Sequence, residues 1–206
     1  MTVLAVDTAS RRHAVCVLAG GDGTVLAEQH LEGRHLDRQL PAALAALLAR
    51  GRPTAVAAVL GPGSYTGLRV GIAAALGLAH AADLPLHGIG ALDVVARAAP
   101  PGVELVEAVA DAGRGALYVA RFRRGGMVLH HEDEPRRVEA GGWQPAPGFA
   151  AVSFDDVNGA EPCAPRAAAA LAMSAAAALA AAPLLRAGLE PIYLAGDASA
   201  PRGPRV

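Results

Sequence analysis

The sequence predicts an α/β protein built from two copies of one sheet-centred unit, the second copy abbreviated. Three observations carry that expectation: an early set of three short strand patterns joined by turns, a following alternation of helical and strand periods, and a restart of the same order past residue 99.

Taken in order, Val3–Thr8, Ala14–Leu18 and Val25–His30 read as strands, with "GGDG" (Gly20–Gly23) as the hairpin turn between the second and third. Leu36–Ala49 repeats leucine at helical spacing (Leu36, Leu40, Leu44, Leu47, Leu48). Ala55–Leu60 is a strand, Ser64–Ala82 a long helix, Leu86–Ile89 a short strand and Ala91–Ala98 a helix. Three hairpin-linked strands followed by helix–strand crossovers is the order of a ribonuclease-H-like sheet. At "APPG" (Ala99–Gly102) the pattern restarts with strands Glu104–Ala110, Ala116–Phe122 and Met127–His131. "RVEAGGWQPAPGFA" (Arg137–Ala150) is irregular where a helix would be expected, and an alanine-rich helix follows.

"LAVDTASRRHAVCVLAGGDGTVL" and "EAVADAGRGALYVARFRRGGMVL" share one order: apolar strand, aspartate, short polar turn with arginine, strand, glycine turn, strand. This is a duplicated ribonuclease-H-like unit, the actin-like ATPase (ASKHA) architecture of actin, sugar kinases and heat-shock chaperones. We expect two lobes, 1–99 and 100–206, whose first hairpins face a shared cleft.

Composition narrows the function. Hydrophobic residues make up 53 % of the 206, ample for a buried core. A net charge of −1 and only 3 % aromatic residues give neither the pull nor the stacking platforms of a general nucleic-acid coat. All 18 basic residues are arginine, so no Walker-type or Schiff-base lysine exists. Cys16 and Cys163 stand far apart and "MTVLAVDTAS" is no secretory signal, which makes the cytoplasm the default location. Ala167–Leu185 carries no charge, but it is mostly alanine, lacks Trp or Tyr at its ends and is broken by Pro183. A packed helix is expected there, and no membrane span.

"AVLGPGSYTGLRVG" (Ala58–Gly71) places glycines 61, 63 and 67 before a helix N-terminus, an arrangement able to hold an anion. The spacing fits neither the dinucleotide fingerprint nor a P-loop, and a tight strand-to-helix turn explains it as well. In the helix that follows, Gly67, Gly71, Ala75 and Ala79 recur every four residues and form a groove of small side chains. Leu68, Ile72 and Leu76 flank it, and Arg69 sits where a partner carboxylate could reach. Packing on its own lobe and packing on another protein both fit this pattern. Leu40 and Leu44 of the preceding helix would join such an interface.

Asp7 and Asp111 occupy the two hairpin positions where actin-like enzymes hold metal-bound phosphate. "DTAS", with Thr8, lacks the glycine that lets phosphate approach, whereas Gly113 in "DAG" supplies one. Both aspartates also fit as turn residues capping backbone N–H groups. Histidines 13, 30, 35, 80, 87, 130 and 131 form no His-x-x-x-His pair, and no metal site is expected. "GPGSYTG" is not Gly-x-Ser-x-Gly, and Ser64 or Thr66 suits a helix N-cap better than a nucleophile.

"GPGSYTGLRVGIAAALGLAHAADLPLHGIGALDVVA" closely resembles the signature region of the TsaB (YeaZ) family, the bacterial partner subunit in making threonylcarbamoyladenosine in tRNA. "VLAVDTAS", "GRHLDRQLPAALAALL", "VADAGRGALY" and "EPIYLAG" resemble its other landmarks, in order. The resemblance implies an actin-like fold with a degenerate nucleotide site and no catalytic residues. It implies a non-catalytic subunit that binds and supports the transferase TsaD, which works with the ATPase TsaE on adenosine 37 of tRNA. It further implies that the first-lobe helices pair with TsaD, or with a second copy as a homodimer when alone, and that tRNA is met through the complex. The interface would then be Leu40, Leu44, Gly67, Leu68, Arg69, Gly71, Ile72, Ala75, Leu76 and Ala79, with Asp7, Thr8, Asp111 and Gly113 a vestigial nucleotide cleft. No resident cofactor is implied; weak ATP or ADP binding at the subunit boundary stays open. The chain departs from the family at Asp111-Ala112-Gly113, commonly Asp-Ala-Arg, and at Tyr193-Leu194-Ala195, often Tyr-Leu-Arg. The competing classes are an ATP-dependent small-molecule kinase of the actin-like group and a metallopeptidase-like hydrolase.

Overall fold

The computed structural model describes residues 1–126, 128–180 and 191–194. The first sheet holds β1 (Thr2–Asp7), β2 (His13–Gly20), β3 (Val25–Glu32), β4 (Ala55–Gly61) and β5 (Leu86–Gly90) in the order β3-β2-β1-β4-β5. β1 and β2 are antiparallel, as are β2 and β3, while β4 and β5 run parallel to β1 through helical crossovers. Helix α1 spans Leu36–Leu48, α2 Tyr65–Ala81 and α3 Ala91–Arg97. α2 starts where the Ser64 hydroxyl accepts from the Gly67 N–H at 3.3 Å, which makes Ser64, of the two caps the sequence offers, the N-cap.

β1 is apolar on both faces because it is central. Leu4 and Val6 face the leucines of α1, whereas Val3 and Ala5 face the middle of the molecule. Each fully buried leucine of α1, such as Leu40 or Leu47, contributes about 2 kcal/mol by leaving water. β3 lies at the sheet edge and alternates half-buried and exposed residues.

The second sheet repeats the plan with β6 (Leu105–Gly113), β7 (Ala116–Gly125), β8 (Val128–His131), β10 (Ala150–Ser153) and β11 (Glu161–Pro162). Its order, β8-β7-β6-β10-β11, is that of the first sheet, and β9 (Arg136–Glu139) pairs with β7. The sequence reading missed β9, β10 and β11: each is four residues or fewer, too short for a period to show. Among the described residues no helix corresponding to α1 or α2 covers this sheet. The chain from Val138 to Ala160 lies over Val109, Leu117, Val119 and Ala151 instead, tied down by Glu107, which accepts from the Ala146 N–H at 2.8 Å and faces Arg136 at 3.5 Å.

Two helices fill the space between the sheets, each crossing to the other unit. α3 follows the first sheet but packs on β6 and β7, and α4 (Ala167–Ala178) follows the second but packs on β1 and β2. One hydrophobic core therefore runs through both units. Alanine lets two sheets close on a shared helix pair, which accounts for the composition of α4. The part of the expected helix from Ala181 to Leu185 lies outside the described residues, as does Met127. Among the described residues no helix is long and apolar enough to cross a membrane.

Candidate functional site

The two hairpins meet end to end. Asp7 closes β1 and accepts the Ala9 N–H at 2.9 Å; Asp111, two residues before the end of β6 at a register irregularity, accepts the Gly113 N–H at 2.7 Å. Both aspartates thus shape a turn in the same way, two residues ahead. Burial pushes the Asp7 carboxyl above its ordinary range, against the pull of the Ala9 N–H and His13, and the carboxylate of Asp155 adds to the rise.

Asp155, 8 % exposed, joins the hairpins: it accepts the Asp111 N–H at 2.8 Å and the Ser10 hydroxyl at 3.2 Å. Ser10 also lies 3.3 Å from His13 Nδ1. From the same turn Arg11 reaches across, its Nη2 donating to the Ala112 carbonyl at 3.4 Å and its Cζ 2.6 Å from where a Cβ on Gly113 would stand. Gly113 has φ +72°, which glycine adopts without strain. The cavity left between the hairpins, bounded by Asp7, Ser10, Gly63, Asp111 and Asp155, measures about 20 Å³. That is room for one water and far below a nucleotide; a separate cavity of about 230 Å³ shares Asp111 and Asp155 and runs along the second sheet past Arg12, Trp143 and Asn158.

Asp7 and Asp111 therefore line one cleft, and Gly113 lies under the Arg11 side chain. Thr8 does not line the cleft: it is 1 % exposed, and its hydroxyl donates to the Gly67 carbonyl at 2.7 Å beneath α2. Ser10, Arg11 and His13 escaped the sequence reading although they share the turn with Asp7. Asp155 carried no local signal, being 145 residues from Ser10.

The glycine loop packs against the same turn. Ser64 N–H donates to the Ala9 carbonyl at 2.7 Å, and a Cβ on Gly63 would stand 2.5 Å from that oxygen. Cβ atoms on Gly67 and Gly71 would collide with Thr8. The small-residue groove is thus filled by the chain's own sheet: Gly67 and Gly71 rest on Thr8, and Ala75 and Ala79 pack with Val56, Ala58 and Leu86 of β4 and β5. Eight of the ten expected interface residues (Leu40, Leu44, Gly67, Leu68, Gly71, Ile72, Ala75 and Ala79) are buried within this single chain. That corrects the expectation drawn from the resemblance: spacing left both neighbours open, and these eight side chains pack on their own chain. Arg69 is exposed and stacks on the Tyr65 ring at 3.9 Å, while Leu76 is half-buried.

The exposed side of the same helix pair has its own character. Pro41, Ala42, Ala45 and Ala46 on α1 and Ala73 and Gly77 on α2 face outward, and nothing lies within 4 Å of a Cβ built on Gly77. Among the described residues no group of three or more His, Cys, Asp or Glu could hold a metal ion.

A family model described as "TsaD: tRNA N6-adenosine threonylcarbamoyltransferase" matches residues 27–147, more than half of the chain. The chain belongs to this TsaD family, in its TsaB (YeaZ) branch. It is 38 % identical over 145 residues to the tRNA threonylcarbamoyladenosine biosynthesis protein TsaB of Escherichia coli K12, covering 67 % of this chain and 62 % of that protein. It is 29 % identical over 149 residues to the TsaB of Bacillus subtilis 168, covering 69 % and 64 %. The matches thus span less than two thirds of either relative. The solved structure of YeaZ from Pseudomonas aeruginosa superposes with a TM-score of 0.74 over 94 % of this chain and 99 % of that one, at 22 % identity. The shared fold is the duplicated ribonuclease-H-like one described above.

Proposed function

We propose that the chain acts in tRNA threonylcarbamoyladenosine synthesis as a non-catalytic subunit that docks and supports a TsaD-type transferase. Membership of the TsaB branch supports the pathway, and the two TsaB relatives bear that biosynthetic name. The observation that carries the non-catalytic reading is the narrow space between the two aspartate turns: only about 20 Å³ remains where Asp7 and Asp111 would both have to face a metal-bound phosphate. A kinase of this fold would need that space open, and the cavity of about 230 Å³ beside Asp111 does not have Asp7 in its lining.

The docking surface is the outward side of α1 and α2, where small residues let another helix pair come close. The same surface serves a second copy when the transferase is absent. TsaE and tRNA are reached through the complex, in the cytoplasm. Ala73→Arg and Gly77→Arg place bulk on the open side and should leave the unfolding midpoint within about 1 kcal/mol of the parent, while weakening capture of co-expressed TsaD by tenfold or more, roughly 1.4 kcal/mol. Undiminished capture by both variants would overturn the placement.

A further inference from the structure

A cavity of about 170 Å³ lies at the open edge of the first sheet, away from the hairpins and from the outward side of α1 and α2. Its walls are Gly88 and Gly90 of β5, Asp93 and Arg97 of α3, and Ser174 and Ala177 of α4. Ser174 is 4 % exposed, and its hydroxyl has no hydrogen-bond partner. A buried hydroxyl left unpaired costs about 1–3 kcal/mol, a cost that a ligand supplying a partner would remove.

β5 adds a second pair of polar groups. Val56 N–H donates to the Pro85 carbonyl at 2.9 Å, which fixes the phase of the parallel ladder: residues 85 and 87 bond toward β4, and Gly88 presents both its N–H and its C=O away from it. β5 is the last strand of its sheet, and among the described residues no strand pairs with that far edge. With no side chain at 88, this donor–acceptor pair is open to the cavity. A neighbouring strand would satisfy it with one C=O and one N–H, and a primary carboxamide carries the same two groups on one planar edge. Ile89, Ala177 and Ala178 add apolar wall beside these polar groups, and a volume on the order of 150 Å³ is enough to hold one benzene-sized ring. Asp93, bonded to His131 at 3.3 Å, and Arg97 set opposite charges in the same wall, so a charged ligand of either sign meets one attraction and one repulsion and still loses its hydration.

We propose that this cavity binds a small, planar, uncharged molecule with a carboxamide-type edge, the amide pairing with the Gly88 backbone and the Ser174 hydroxyl. The full chain would be titrated with benzamide and with benzoate, following backbone amide signals by NMR. Benzamide is expected to bind in the millimolar range suited to so small a ligand and to shift the Gly88 and Gly90 signals, with benzoate at least about tenfold weaker. Ser174→Ala should weaken benzamide about three- to tenfold without lowering the unfolding midpoint. Ala177→Leu, which fills the space, should abolish binding. Equal binding of benzoate, shifts confined elsewhere, or benzamide affinity untouched by Ser174→Ala would overturn the proposal. Capture of TsaD is independent of every one of these outcomes.

Discussion

The Thr8 hydroxyl donates to the Gly67 carbonyl over 2.7 Å and fills the space in front of Gly71, so α2 rests on the end of β1 with the Thr8 side chain held between them. This contact decides what the small-residue stripe is for. It brings the helix down onto the turn that carries Asp7, and it leaves only the opposite side of the helix for a partner.

Gly71→Ala is therefore expected to cost about 1–3 kcal/mol, because the new methyl meets a buried side chain with no room to move. Thr8→Ala alone loses one buried hydrogen bond, about 1 kcal/mol. In the Thr8→Ala background Gly71→Ala should cost much less. Urea unfolding of the four proteins measures the coupling, and strictly additive costs would refute the contact.

At Gly113 the balance differs. A Cβ there would strike the far end of the exposed Arg11 side chain, which swings away cheaply, so the cost of Gly113→Ala is the φ of +72°, about 1 kcal/mol. Arg11→Ala should change that cost by less than about 0.5 kcal/mol. A larger coupling, seen in the same unfolding assay, would mean that Arg11 is held firmly across the cleft.

Asp7 gives the protein a pH dependence of definite sign. Its folded-state pKa is raised, mainly by burial. The native state therefore holds the proton more tightly, and this contribution to stability is complete below about pH 4 and lost as pH rises through the raised value. Asp7→Asn keeps an oxygen for the Ala9 N–H but removes the buried charge. It should stabilise the protein at pH 7 relative to the parent and lose that advantage near pH 3, as thermal unfolding across the range would record. Equal gains at both pH values would contradict the burial argument.

Cys16 and Cys163 are fully buried, and burial pushes both thiols up to about 12. Neither should react with a thiol reagent at pH 8 in the native protein, and both should react once it is unfolded in guanidinium. Rapid labelling of the native chain would show that the core opens locally.

The local order of this fold was legible in the sequence. Leucine spacing in α1, the Ser64 cap of α2 and the repeated Asp-turn-strand pattern set the elements of the first sheet to within two residues or so, and they exposed the duplication. Such signals are written by neighbours in sequence: hydrogen-bonding periods, caps and turns. Tertiary structure alone decided the rest. A stripe of Gly67, Gly71, Ala75 and Ala79 says that something approaches closely, and only folding showed it to be Thr8 and the first sheet. A cleft is likewise formed by residues remote in sequence, as Ser10 and Asp155 are, and its closure to 20 Å³ depends on how two sheets settle on one shared helix pair. Periodicity fixes which side chains lie together; packing across the core fixes what they touch.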